Sequence, residues 1–262
     1  MTGRMRLAAI MLAIASVMGL AAVAATRGVD RASESFRHTY PLTADGRVSL
    51  SNVSGNIRIT GWDRNEVQLE AVESADTQED LNAIRIDIDA RPDAIEIETK
   101  YPHHFFDDHH SGRVEYTLSV PNRARIDSVK LVSGDVRLEG LRGDVDASSV
   151  SGGIRALGLT GAVHLSGVSG RIEANFDRDL GRRVSLSTVS GSIVLGLVPE
   201  ANADVNAETV SGGIHSELPI EVNRHQYVGQ SLHGKLGNGE AQIDLHTVSG
   251  SIELRRASGL SN

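Results

Sequence analysis

Val145-Asp-Ala-Ser-Ser-Val-Ser-Gly152-Gly-Ile-Arg-Ala156 is followed eighteen residues later by Val163-His-Leu-Ser-Gly-Val-Ser-Gly170-Arg-Ile-Glu-Ala174. The shared Val-Ser-Gly occurs seven times, beginning at Val53, Val132, Val150, Val168, Val189, Val210 and Val248. From Val132 onward the steps are 18, 18, 21, 21 and 38 residues, the last close to two units with one copy worn away. A period near 20 residues is the mark of a solenoid, in which each repeat stacks on its neighbours.

The pattern extends beyond the tripeptide. Three residues before each Val stands an apolar residue: Leu50, Val129, Ala147, Leu165, Leu186, Ala207 and Leu245. Two further back stand Val48, Val145, Val163, Val184, Val205 and Ile243, with Asp127 alone out of line. After the Gly, skipping one residue, come Ile57, Val136, Ile154, Ile172, Ile193, Ile214 and Ile252. Alternation at period two predicts strands with one buried face. The parity changes once, between the apolar position before the tripeptide and the Val, so each unit reads as two short strands with a corner or bulge between them. The Gly falls on the inward parity of the second strand, which predicts a tight bend or a close backbone approach to the next rung. Turn residues such as Gly140-Leu-Arg-Gly143 and Gly158-Leu-Thr-Gly161 close the units. A unit of 18 to 21 residues traces a path of roughly 60 to 70 Å, one turn of a β-helix or β-prism. No helical periodicity is visible after the N-terminal segment.

That segment reads as a secretory signal peptide over residues 1–25: Arg4 and Arg6, an uncharged run from Leu7 to Val23, then small residues at Ala22-Val-Ala-Ala25. Its removal takes the net charge from -8 to about -10, which disfavours nucleic acid and anionic membranes as partners. No later stretch is long and apolar enough to span a bilayer. The chain has no Cys, which excludes disulfides, thiol catalysis and a lipoprotein anchor and leaves the fold to its core. Aromatic residues are only 3% of the chain, which suits stacked aliphatics in a narrow interior.

The expected architecture is an all-β, single-domain β-solenoid with an N-terminal β cap. A polar lead-in covers 26–37, the β-rich cap with the first repeat 38–124, the solenoid repeats 125–256 and a tail 257–262. Within the cap, Ala83–Ala90 and Ile95–Ile97 flank the turn Arg91-Pro-Asp93 and predict a hairpin. Residues 219–239 depart from the repeat and read as an insertion or a degenerate rung.

The Thr-Val-Ser-Gly-x-Ile units, the Gly61-Trp62-Asp63 after the first copy, Tyr116-Thr-Leu-Ser-Val-Pro121, and Leu236-Gly-Asn-Gly-Glu-Ala-Gln-Ile-Asp-Leu-His-Thr-Val-Ser-Gly250 together resemble the bacterial putative-adhesin family of β-strand-repeat proteins. The resemblance spans about residues 38 to 256. It implies an exported or membrane-attached envelope protein and brings no catalytic residues with it.

Chemistry has one concentrated candidate, Tyr101-Pro-His-His-Phe-Phe-Asp-Asp-His-His110. A loop bringing His103 or His104 towards His109 or His110 could hold zinc, copper or nickel, for which imidazole and carboxylate are good ligands. A solvated His-rich loop is the competing reading. The repeat serines lack a recurrent base beside them, as a nucleophile would need. Carboxylates such as Asp87, Asp89, Glu96 and Glu98 alternate with Ile and belong to a solvated face. Trp62, the chain's single Trp, reads as a packing residue. The expected function is a non-enzymatic envelope protein, periplasmic or at the cell surface, without a cofactor. It would act as an adhesin or scaffold and bind an envelope protein or glycan through the solenoid surface. The alternatives are a polysaccharide-acting β-helix enzyme, which requires two converging carboxylates, and a periplasmic metal-binding protein using the His103–His110 loop.

Overall fold

The computed structural model describes residues 31–102, 112–176, 180–198, 200–220, 222–224 and 229–257. In chain order it contains β1 (Ala32–Pro41), β2 (Arg47–Ser54), β3 (Ile57–Trp62), β4 (Glu66–Ala75), a short helix α1 (Gln78–Ala83), β5 (Arg85–Arg91), β6 (Ala94–Lys100) and β7 (Gly112–Pro121). Then come β8 (Arg125–Ser133), β9 (Val136–Glu139), β10 (Val145–Ser151), β11 (Ile154–Leu157), β12 (Val163–Ser169), β13 (Ile172–Phe176), β14 (Arg183–Ser190) and β15 (Ile193–Leu197). The last are β16 (Ala203–Ser211), β17 (Ile214–Ser216), β18 (Val222–Arg224), β19 (Gln230–Leu236), β20 (Ala241–Ser249) and β21 (Ile252–Arg256). The strands make two long sheets, one of ten strands and one of eleven.

Each Val-Ser-Gly copy joins a strand of the eleven-stranded sheet to a strand of the ten-stranded sheet. Neighbouring copies pair in parallel in both sheets, for example Val145↔Val163 and Ile154↔Ile172. The apolar columns legible in the sequence form the core between the sheets: Val48, Leu50, Ile57, Ile59, Val184, Leu186, Ile193 and Leu195 are all essentially inaccessible. Parallel strands within about 4.8 Å of one another leave no room for large rings in every rung, hence the aliphatic interior.

Asp127 breaks the repeat for a visible reason. The register of β8 shifts against both β2 and β10, so Ile126 pairs with Val48 and Val145 while Val129 pairs with Leu50 and Ala147. The bulge inserts one residue, and Ile126 takes the buried place that simple counting gives to Asp127.

Four expectations are corrected. The corner lies after the Val and Ser of the tripeptide, because β8, β10, β12, β14, β16 and β20 all run through to the Ser. The repeat Val therefore continues the outward parity of the first strand, and the residue before it points inward. The long step of 38 residues is no missing rung. The strand order β14-β20-β16 and β15-β21-β17 places the last copy between the fifth and sixth. Residues 219–239 supply β18 and β19, which pair antiparallel with each other, and β19 pairs antiparallel with β16 at the sheet's end. The chain thus passes over one rung position, turns back along the edge and fills the gap.

Finally, a helix does occur. Thr77 accepts a hydrogen bond on its side chain from the Asp80 N–H at 3.1 Å and caps α1, a start signal present in Thr77-Gln-Glu-Asp80. The polar lead-in likewise contributes β1, paired antiparallel to β4 over its whole length. The hairpin is found as β5 and β6, from Arg85↔Lys100 to Arg91↔Ala94. The signal-peptide segment 1–25 lies outside the described residues.

Candidate functional site

The repeat Val side chains create the most distinctive surface. Val132, Val150, Val168, Val189, Val210 and Val248 are 46% to 54% exposed, and they are the exposed large hydrophobics among the described residues. Parallel register stacks their rungs in the order 132, 150, 168, 189, 248, 210. The following serines, Ser133, Ser151, Ser169, Ser190, Ser249 and Ser211, form a second exposed column beside them. Five steps of about 4.8 Å give a ridge roughly 24 Å long with no charged residue in either column. Val53, in the first copy, is less exposed; there the Tyr101 hydroxyl donates to the Ser54 carbonyl at 3.2 Å.

The ridge is held in line by the backbone beneath it. The Gly152 N–H donates to the Ser169 carbonyl at 3.1 Å and the Gly134 N–H to Ser151 at 3.0 Å, repeating from rung to rung. The residue before each Val is buried, except for the half-buried Gly167. Thr209 Oγ1 donates to the Gly250 carbonyl at 3.1 Å and Thr247 Oγ1 to Gly191 at 3.2 Å. The equivalent hydroxyls of Ser149 and Thr188 are buried without a hydrogen-bond partner. Beside the ridge's far end, Ser187, Val189, Glu208, Val210, Gln230 and His246 line a depression of about 770 Å³.

On the ten-stranded sheet, Arg58, Arg137 and Arg155 lie side by side in register at the floor of a groove of about 520 Å³. Its carboxylates are engaged. Glu115 accepts from the Asn56 N–H at 3.2 Å, Asp135 from the Gly153 N–H at 2.7 Å, and Glu173 pairs with Arg155 at 2.8 Å. Arg137 pairs with Glu139. Glu115, Asp135 and Glu173 thereby fasten neighbouring strands together. Trp62 donates its ring N–H to the Glu66 carbonyl at 2.8 Å and carries the Arg64 guanidinium over its face at 4.9 Å.

A polar cluster in the interior is invisible to repeat counting. Asn52 donates to the carbonyls of Ser54 at 3.0 Å and Val114 at 2.9 Å, and its own oxygen receives the Tyr101 hydroxyl at 3.3 Å. Tyr116 and Thr99 share a hydroxyl contact of 2.7 Å. Burial pushes both tyrosine hydroxyls above their ordinary range. Glu73 belongs to the same neighbourhood because it sits on the inward parity of β4, between buried Ala71 and Ala75 and opposite Val114. Burial, with Glu34 opposite it on β1, raises its carboxyl to about 7 from 4.5. A carboxyl raised on folding holds its proton longer in the native than in the unfolded chain. Stability therefore falls as pH rises between about 4.5 and 7 and is level above that. Because Glu73 is only half-buried, screening reduces the expected loss to about 1–2 kcal/mol. Urea unfolding across this window should show Glu73→Gln removing that part of the slope; an unchanged slope would assign it to other groups.

His103, His104, His109 and His110 lie outside the described residues. Among the described residues, no group of three or more His, Asp or Glu is placed to hold a metal ion, and no helix is long and apolar enough to cross a membrane.

Two long sheets joined by Val-Ser-Gly corners define an all-β, β-solenoid-like repeat domain. The chain belongs to the Toastrack DUF4097 family, whose sequence profile matches residues 39–255. Among solved structures it is similar to a "putative cell adhesion protein" from Clostridium sporogenes, at 10% identity over 86% of this chain and 100% of that one, with a TM-score of 0.48. A "putative adhesin" from Bacteroides fragilis gives 13% identity, 86% and 97% coverage and a TM-score of 0.41. A "putative lipid binding protein" from Parabacteroides distasonis gives 11% identity, 86% and 95% coverage and a TM-score of 0.28. No curated protein matches the chain.

Proposed function

We propose that this chain is an exported, non-enzymatic envelope protein, an adhesin or scaffold that binds through its lateral surface. The observation that carries this reading is the uncharged ridge of six half-exposed valines. A contiguous apolar strip of this kind is a mark of an interaction surface, whereas single exposed valines are ordinary. Export rests on Arg4, Arg6 and the apolar run after them. In the same reading, residues 38–124 cap one end of the solenoid and 125–256 supply its repeats. Against a catalytic role stands the engagement of Glu115, Asp135 and Glu173 in rung-to-rung bonds.

The test uses the exported protein immobilised beside a Val150→Asp/Val189→Asp variant, exposed to envelope extract with its proteins and glycans. The wild type is expected to retain a defined component at least tenfold better than the variant, at equal melting temperatures. Equal retention would remove the ridge from the function.

A further inference from the structure

We infer that the occupant of the valine ridge is the ridge of a second copy of this chain, packed antiparallel about a two-fold axis. The inference rests on the lateral-binding reading above and names its partner.

Three observations lead there. The first is extent. Six half-exposed valines present on the order of 450 Å² of apolar surface, as large as the largest patches on ordinary monomers. With the serine column on one flank and the mixed polar column on the other, the strip approaches the roughly 800 Å² per partner of a standard interface. The second is shape. The ridge is a row of identical side chains at the strand repeat, so another row with that repeat matches it at every rung. In a two-fold contact the same patch faces itself, which this row satisfies without a second, differently shaped surface.

The third observation is charge. A chain with net charge -8 meets another copy best along a strip that carries none. Two residues before the Val, on the same outer face, the rungs carry in spatial order Ser51, Lys130, Ser148, Ser166, Ser187, His246 and Glu208. The column is uncharged through its serines, with a cation at one end and a carboxylate at the other. A two-fold axis crossing the ridge between the Val168 and Val189 rungs sets Val132 opposite the partner's Val210, and Lys130 opposite the partner's Glu208, at both ends. Lys130 has no ion-pair partner of its own among the described residues. A parallel arrangement would instead bring Lys130 towards the side of the ridge where Asp135 stands, and that carboxylate already holds the Gly153 N–H at 2.7 Å, whereas Glu208 has only the longer contact to His246 at 3.6 Å.

Sedimentation velocity of the exported protein, from low micromolar to about 100 μM, reads the result. The expected outcome is a concentration-dependent dimer. Val168→Asp/Val189→Asp, which sets four carboxylates against one another at the centre, is expected to leave a monomer with unaltered circular dichroism. Lys130→Glu is expected to weaken the dimer about tenfold, and Lys130→Glu/Glu208→Lys to restore it. Misfolding would not produce that rescue. A wild-type monomer across the range overturns the proposal, as does a dimer indifferent to Val168→Asp/Val189→Asp. A dimer weakened by Lys130→Glu but rescued by Asp135→Lys overturns the antiparallel packing. If the wild type is monomeric and the ridge variant still loses an envelope component, self-pairing is excluded while the lateral-binding reading stands.

Discussion

Gly152→Val is expected to lower stability by about 3–5 kcal/mol, enough to remove most of the cooperative unfolding transition of a typical domain. Two separate penalties combine. Gly152 has φ +136°, where a branched side chain is strained, and a Cβ built on it would overlap the carbonyl oxygen of Gly134 on the next rung. That oxygen cannot move, because the rung is pinned by the Gly134 N–H bond to Ser151 and the Gly152 N–H bond to Ser169. Gly170 stands in the same relation to Gly152, so Gly170→Val should behave alike. Ser151→Ala, at an exposed corner, should cost about 0.5 kcal/mol or less. Gly213→Ala is a fair control, since nothing lies within 4 Å of its added Cβ. Thermal melts of the four variants decide it; equal midpoints for Gly152→Val and Ser151→Ala would mean the glycine column is not the line of closest approach.

Ending the chain after Glu240 should abolish the native fold. In a sequential solenoid the last repeat is a terminal rung, and removing it would lower the melting midpoint without losing the rest. Here β20 lies between β14 and β16, and β21 between β15 and β17. Their loss takes away the buried side chains of Ile243, Leu245, Ile252 and Leu254. At about 1.5–3 kcal/mol each, that is comparable with the whole stability of a domain. It also takes one neighbour each from β14, β15 and β16 and the sole neighbour from β17 at the end of its sheet. The expected result is a truncated chain without a cooperative urea transition. A truncated protein that keeps a sharp transition at slightly lower urea would show that β16 can close onto β14 directly.

Much of the fold was legible because its interior is periodic. Valine and isoleucine recur at fixed offsets from each glycine, and only a stack of equivalent strands buries them all. The glycine column was legible for the same reason, as a position without a side chain where the backbone of the neighbouring rung comes close. The family follows from the motifs that surround these units, and its profile covers residues 39–255. The short helix α1 escaped because six residues are too few to display a helical period; its only signal was the Thr77 cap.

The valine ridge was harder to read, since composition does not say on which side of a corner a residue falls. A valine inside a strand pattern is expected to be buried, and the exposure of the repeat Val follows from the turn being placed after the serine. Glu73 is hidden likewise: its inward position depends on β4 pairing with β7, a contact between distant parts of the chain. The amino-acid sequence by itself determined that this is an all-β stack of Val-Ser-Gly units with an aliphatic interior, because residue-level alternation and a fixed period are local properties. Only the tertiary structure decided the order of the rungs, with the last threaded between the fifth and sixth, and the outward column of valines. Both depend on which strands pair across the chain, and identical repeats offer several registers with nearly the same local energy.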